Sequence, residues 1–526
     1  MLEKSQVKPV GAGPGASAGQ AGQPRGRAGR RRPVIVAALR RHWLAAALLG
    51  AGLVLRLLAE LAYRPALFYI DSTRYLYNAE GMDPVGYKGP LRAVLLVANF
   101  DAVAAVQHLL GLAMAVAIYL VLVRRGVPRW LSALAMAPVA LDAYQVQIEQ
   151  TIMPDTWFEA LIVAGLVILL WQPAGPGPAA PGTGEGVPRP GRPGWRRAAA
   201  AGIVLGTSAT VAQVGEALLV PAVIYLLAAG GGWRQALGRA AALCAAFALP
   251  IVAYCTGSDL LTGDFFLSHS GVTSFYGRMA AAADCATIRL PADERRLCPT
   301  KAQQAEGPDW LEYNPASPDQ PYYTRLPRAE VDSLLSNFNH SVLAQQPVRV
   351  LDAYTRDVVT LFALTRNTRP GDTIIARWQF QTKFPYYPPH ASEAVVKAAG
   401  VRFGGGAPAV WRPAAAFLRS YQLDGGYTPG PLLAVFTLAG AAGSAAALLR
   451  RRMDPRARQT ALGCLLFFTT AASVTLVSDA FEFSWRYQLP ALVTVAPAGA
   501  LGIGVVIRSV RIPARTRRAR AEEPQN

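Results

Sequence analysis

The sequence predicts an all-α polytopic membrane protein of about ten transmembrane helices carrying a mixed domain on the outer side of the membrane. Three observations predict it. Of 526 residues, 52% are hydrophobic and only 16% charged, with a mean hydropathy of +0.24, a balance suited to burial in lipid. Apolar segments of spanning or near-spanning length recur along the chain, and the basic residues collect between them.

Residues 1–41 are rich in Gly, Ala, Pro and Arg with Glu3 as the sole acid, and read as a disordered cytoplasmic tail. The run 43–62 is the first span and has no small-residue cleavage site. Further segments lie at 101–123, 130–146, 156–171, 198–213, 216–229, 236–255, 430–449, 459–477 and 487–507. The pair 198–213 and 216–229 is short, so it reads either as two spans or as broken, re-entrant halves meeting near Gln213. This divides the chain into an N-terminal transmembrane module (42–256), an extracytoplasmic domain (257–428), C-terminal transmembrane helices (429–507) and a basic tail (508–526).

A net charge of +19 would suit nucleic-acid binding if it formed one patch. Instead it alternates. With the N-terminus inside, the even-numbered connections hold Arg124, Arg125 and Arg129; Arg189, Arg192, Arg196 and Arg197; Arg234 and Arg239; and Arg450, Arg451, Arg452, Arg456 and Arg458. Basic loops stay cytoplasmic, so both termini are expected there, in a multi-pass protein of the cell (inner) membrane, and no nucleic-acid partner is implied. Residues 257–428 carry 17 Lys plus Arg against 16 Asp plus Glu, a near-neutral stretch too long for a bare loop and suited to the outer side. Within it, Val350, Leu351, Tyr354, Val358, Leu361 and Phe362 follow a helical period. Cys285 and Cys298 enclose a short loop where a structural disulfide of about 3 kcal/mol is expected. The Pro- and Gly-rich linker 173–197 reads as a disordered cytoplasmic loop.

The first outer connection (63–100), FYIDSTRYLYNAEGMDPVGYKGPLRAVLL from Phe68 to Leu96, is the most informative stretch. Asp71 stands before a short helical segment, and a turn at Tyr87-Lys88-Gly89-Pro90-Leu91 leads to the next span. A carboxylate just outside the bilayer beside Arg74, Lys88 and Arg92 suits activation of an acceptor hydroxyl while the cations hold a lipid phosphate. The plain alternative is that Asp71 only caps a helix.

Here the chain resembles the GT-C glycosyltransferases, integral-membrane enzymes that use polyprenyl-phosphate sugars, in the protein-mannosyltransferase and aminoarabinose-transferase-like branch. Asp71, Tyr75, Ala79, Gly81, Pro90 and Leu91 match the order of that family's first loop, and Arg486, Tyr487 and Pro490 match its last outer turn. It departs in carrying Ser72 where many members have a second acid. The resemblance implies Asp71 as general base, Arg74, Lys88, Arg92 and Arg486 as cations for the donor phosphate, and Tyr75, Tyr87 and Tyr487 as substrate contacts.

The second outer connection packs Glu149, Asp155 and Glu159 into one membrane boundary, which is costly without a use. Glu149 or Asp155 could supply a second carboxylate or bind a divalent cation, magnesium or manganese; no cofactor is required by any motif, and the outer histidines are too scattered for a metal site. Asp155 alternatively caps the next helix. Arg56 and Glu60, four apart, read as a structural ion pair inside the membrane. Gln213 and Glu216 fall at the helix break. The run Trp378, Phe380, Phe384, Tyr386 and Tyr387 reads as an interfacial belt or core, with stacking on a sugar as the alternative.

These residues together imply transfer of a sugar from a polyprenyl-phosphate donor to a cell-envelope glycan or lipid acceptor on the outer face, with membrane lipid as the surrounding partner. A transporter or flippase of a lipid-linked or anionic solute is the alternative, and a non-catalytic scaffold a third. The topology is testable directly. A single cysteine at an exposed position of the 257–428 domain should react with an impermeant maleimide from outside the cell, and reaction only from the cytoplasmic side would invert the map.

Overall fold

The computed structural model describes residues 40–77, 84–171, 193–450 and 453–521, with side chains to 508. The N-terminal tail to residue 39, Ala79 and Gly81, and nearly all of the linker fall outside these.

Every predicted apolar segment is helical. In chain order, α1 is Trp43–Ala62, α2 Ser72–Leu76, α3 Lys88–Leu95, α4 Phe100–Arg124, α5 Arg129–Leu141, α6 Ala143–Glu149, α7 Asp155–Leu170, α8 Trp195–Val211, α9 Leu219–Ala228 and α10 Trp233–Thr262. The bundle closes with α20 (Gly430–Leu449), α21 (Pro455–Phe481) and α22 (Pro490–Ala521). Six of them (α1, α4, α10, α20, α21 and α22) are long and apolar enough to cross a membrane; α7 and α8, at 16 and 17 residues, are short of the roughly 20 a full span needs. The segment read as one span, 130–146, is two helices. Asp142 splits it, because its carboxylate accepts from the nearby Tyr144 amide and from the distant Thr428 amide and Arg366, bonds that together outcompete a continuous helix. Near Gln213 the chain does break: Ala212 is extended and Gln213–Leu218 forms a 3-10 turn before α9. The last helix runs on to Ala521, through the predicted tail.

Between α10 and α20 lie nine helices, α11 (Ser270–Ala282), α12 (Ala292–Arg295), α13 (Lys301–Glu306), α14 (Pro308–Tyr313), α15 (Gln320–Tyr323), α16 (Arg328–Gln345), α17 (Pro347–Thr360), α18 (Glu393–Phe403) and α19 (Arg412–Leu423). The expected mixed domain is therefore helical. The one sheet among the described residues pairs β1 (Tyr63–Arg64) antiparallel to β2 (Ala409–Val410). Its own core contains Tyr276, Leu311, Val331, Leu335 and Phe338, and the Cys285–Cys298 disulfide is formed, with Cα atoms 5.9 Å apart. Arg278 pairs with Asp357 within the domain at 2.5 Å and fixes the domain to the bundle by donating to the Asp479 and Phe481 carbonyls at the end of α21.

The two ends of the bundle are held together differently. At one end, arginines cap helix C-termini across connections: Arg125 donates to Leu170 O, Arg197 to Trp171 O, Arg458 to Ala228 O and Arg508 to Gly126 O, where the helix dipole is negative. At the other end the odd-numbered connections meet: Leu67 pairs with Thr151, and the Gly86 amide donates to Thr210 O at 2.8 Å. Small residues let the helices touch. A Cβ on Gly202 or Gly206 of α8 would strike the Leu243 or Phe247 carbonyl of α10, the close approach typical of membrane helix pairs.

Arg56 does not pair with Glu60. Its guanidinium makes a bidentate bond to Glu149, 2.8 Å from each oxygen, and donates also to the Gly52, Val139 and Ala140 carbonyls. His108 Nδ1 lies 3.0 Å from the same carboxylate. Removing one partner strands a buried charge. Arg56→Met should therefore cost about 3–5 kcal/mol, and the Arg56→Met/Glu149→Met double variant should recover much of it; thermal unfolding of the detergent-solubilised protein reads both.

Candidate functional site

The first outer loop is set by the second. Leu67 donates to Gln150 O and accepts from the Ile152 amide, both at 2.9 Å. The Ser72 hydroxyl accepts from the Tyr69 amide at 2.8 Å and donates to Ile152 O at 2.9 Å. Thus the residue that departs from the two-acid pattern braces one loop against the other. On the far side, Gln107 donates to the Glu149 and Thr151 carbonyls at 2.8 Å and accepts from the Tyr87 hydroxyl.

This framework brings Asp71, Asp155 and Arg486 together from three connections. Arg486 Nε donates to Asp155 Oδ1 at 2.7 Å, and its Nη1 reaches Asp71 Oδ2 at 3.4 Å. Arg74 takes the other Asp71 oxygen at 2.5 Å. Neither aspartate is a helix cap: Asp71 stands at the N-cap of α2 and Pro154 at that of α7, without a side-chain capping bond at either. Asp155 Oδ2 is buried with no hydrogen-bond partner. Burial opposes the charge on Arg486, but Asp155, Tyr487 and Asp71 more than offset it and hold the guanidinium above its ordinary pKa. Its planar face also lies near Trp378 and Tyr487, 5.4 and 5.3 Å from the ring centres.

The other predicted residues divide. Lys88 is half-buried, and burial, then Arg92, then Arg74, lower its pKa; of these cations, Arg74 bonds to the cluster, through Asp71. Tyr487 is partly exposed beside Arg486. Tyr75 and Tyr87, by contrast, are 3% and 0% exposed and pack edge to face; they are core, not substrate contacts. Glu149 is also withdrawn, because Arg56, His108 and Gln145 surround its carboxylate in the interior. Glu159 is fully buried and accepts from Gln145. Gln213 turns to Ser270. Asp71 and Asp155 are the residues that could hold a divalent cation, with Asp155 Oδ2 as the open acceptor; among the described residues there is no group of three or more His, Cys, Asp or Glu arranged as metal ligands.

Residues that pattern reading missed surround this cluster. Tyr69 packs on Trp378 at 4.6 Å and Tyr387 at 5.1 Å, and Arg377 donates to its hydroxyl and to Asp309. Arg366 pairs with Asp142 at 2.8 Å while facing the rings of Tyr144, Tyr427 and Trp485. No local pattern could have found these, since their partners are distant in sequence; the aromatic run 378–387 was the one visible signal.

No protein-family profile matches the chain, and no curated protein matches it. Three solved structures do. The protein O-mannosyltransferase Pmt1-Pmt2 complex of S. cerevisiae bound to its sugar donor is 17% identical over 48% of this chain and 38% of that one, with a TM-score of 0.31. The oligosaccharyltransferase AglB of Archaeoglobus fulgidus, with an inhibitory peptide and dolichol-phosphate, is 12% identical over 93% of this chain and 53% of that one, at a TM-score of 0.37. An apo form of the Archaeoglobus fulgidus oligosaccharyltransferase gives 13% identity over 91% and 52%, again at 0.37. By name these are a protein O-mannosyltransferase and an oligosaccharyltransferase. The chain spans about half or less of their length, and overlaps this loose transfer no residue roles.

Arg486 is the common counter-ion of two carboxylates. Arg486→Met should lower stability by about 2–5 kcal/mol, and adding Asp155→Asn should restore part of that loss. Equal melting temperatures for wild type and Arg486→Met would show that the cluster does not hold the loops.

Proposed function

We propose that this chain is a GT-C-type membrane glycosyltransferase that moves a sugar from a polyprenyl-phosphate donor to an acceptor at the outer face of the cell membrane. The observation that carries the reading is the convergence of Asp71, Asp155 and Arg486, from connections more than 300 residues apart in sequence for the last pair, at the bundle end opposite the arginine-capped one.

The chemistry asks little of the protein. A lipid phosphate is already a good leaving group, so neutralising it and deprotonating the acceptor hydroxyl suffice. Arg486 serves the first task, with Lys88 and Arg92 adding positive charge from the first outer loop. The donor phosphate competes with both carboxylates for Arg486. The contact it displaces most readily is the longer one, at 3.4 Å to Asp71 Oδ2, and that oxygen then accepts the acceptor's hydroxyl while Arg74 keeps the carboxylate oriented. Asp155 holds the other edge of Arg486, and its unpartnered oxygen could take a divalent cation brought by the donor. An inverting transfer follows from a single displacement with Asp71 as base.

The transporter alternative needs charge available along a path through the bundle. The bidentate pair of Arg56 and Glu149 inside the bundle is committed to itself instead.

In a purified system supplied with a radiolabelled polyprenyl-phosphate sugar, Asp71→Asn should slow transfer by roughly 10²–10⁴, the span of general base catalysis. Equal turnover would remove Asp71 from the chemistry, and solute uptake into liposomes with no transfer from any donor would favour transport.

A further inference from the structure

Beside the Asp71 cluster the outer domain opens a cleft of about 310 Å³ between the turn Ile375–Trp378 and the segment that follows it, walled by Arg377, Gln381, Lys383, Phe384, Pro385 and Tyr387. That volume is at the lower end of small-ligand sites, roughly 300–1,000 Å³. Its walls carry two cations and no acid. They also present two aromatic side chains, Phe384 and Tyr387, that are only partly buried.

Most of the polar groups here are already committed. Arg377 is spent on Asp309 and Tyr69. The Gln381 side-chain amide donates to the Ala376 and Gln379 carbonyls while its oxygen accepts from Arg419. Those bonds make a rigid wall, and they leave the exposed Lys383 ammonium as the wall's adaptable charge. A saccharide suits such a surface, since the apolar face of a sugar ring stacks on an aromatic side chain. An acidic one suits it better.

The cleft is also joined to the proposed reaction centre. Tyr387 touches Tyr69, Tyr69 touches Trp378, and Trp378 lies under Arg486. Burial pushes the Tyr69 phenol up, Arg377 pulls it down, and Asp71 pushes it up again, so Tyr69 feels both the cleft's cation and the candidate base. One aromatic layer separates the two.

We propose that this cleft binds an acidic saccharide, a sugar residue bearing a carboxylate or phosphate stacked on Phe384 and Tyr387 and paired with Lys383, and that it holds the acceptor for the transfer. The acceptor role rests on the glycosyltransferase reading; the saccharide site does not.

The test uses the full chain in detergent or nanodiscs without donor, with trigalacturonate as probe and its methyl ester as the neutral twin, followed by ligand-observed NMR. The acid should bind saturably and about fivefold more tightly than the ester, the scale of one exposed charge pair. Lys383→Gln, an exposed substitution, should erase that preference, and Phe384→Ala should weaken both probes about tenfold. Equal affinity for acid and ester, or acid binding unmoved by Lys383→Gln, would overturn the proposal. The two readings fail separately: a protein that binds the trimer but transfers no sugar keeps the saccharide site and loses the enzyme, whereas one that transfers sugar and binds neither probe loses the cleft.

Discussion

The buried pair of Arg56 and Glu149 is the interaction from which the rest follows. Lipid offers no water, so a guanidinium inside the bundle must be matched by a carboxylate and carbonyls in full. Meeting that demand draws the end of α6 onto α1 and forbids bulk nearby: a Cβ on Gly111 would run into the Glu149 carboxylate. With Glu149 fixed, Gln107 clamps the carbonyls on either side of the loop that follows, and that loop in turn pairs with Leu67 and takes the Ser72 hydroxyl. Asp71 and Asp155 face the same guanidinium because an ion pair deeper in the bundle has already placed their loops.

How much of this was legible in the sequence depends on the range of the interaction. Helix positions were, because each apolar run carries its own signal. The division of 130–146 was not. Asp142 breaks it only because Arg366 and the Thr428 amide arrive from more than 200 residues away. Pairing Arg56 with Glu60 failed for the same reason: spacing nominated a neighbour, and a partner 93 residues on won through bidentate geometry.

In the candidate site, Asp71, Asp155 and Arg486 were found as residue types at a membrane boundary, and folding brings them within hydrogen-bond reach. Glu149, Tyr75 and Tyr87 were drawn from the same loops and are buried instead. Sequence adjacency to an acidic cluster does not say which carboxylate faces the open side; that is settled by which one has an internal counter-ion. Tyr69 was out of reach of motif reasoning and Trp378 was visible only as part of an aromatic run, since an aromatic residue in a loop looks the same whether it lines a site or plugs a gap.

The glycine contacts between α8 and α10 have a consequence for traffic. Two helices whose backbones touch at Gly202 and Gly206 leave no groove between them for anything moving in the plane of the membrane, because any Cβ there would strike the Leu243 or Phe247 carbonyl. That seam is a closed wall.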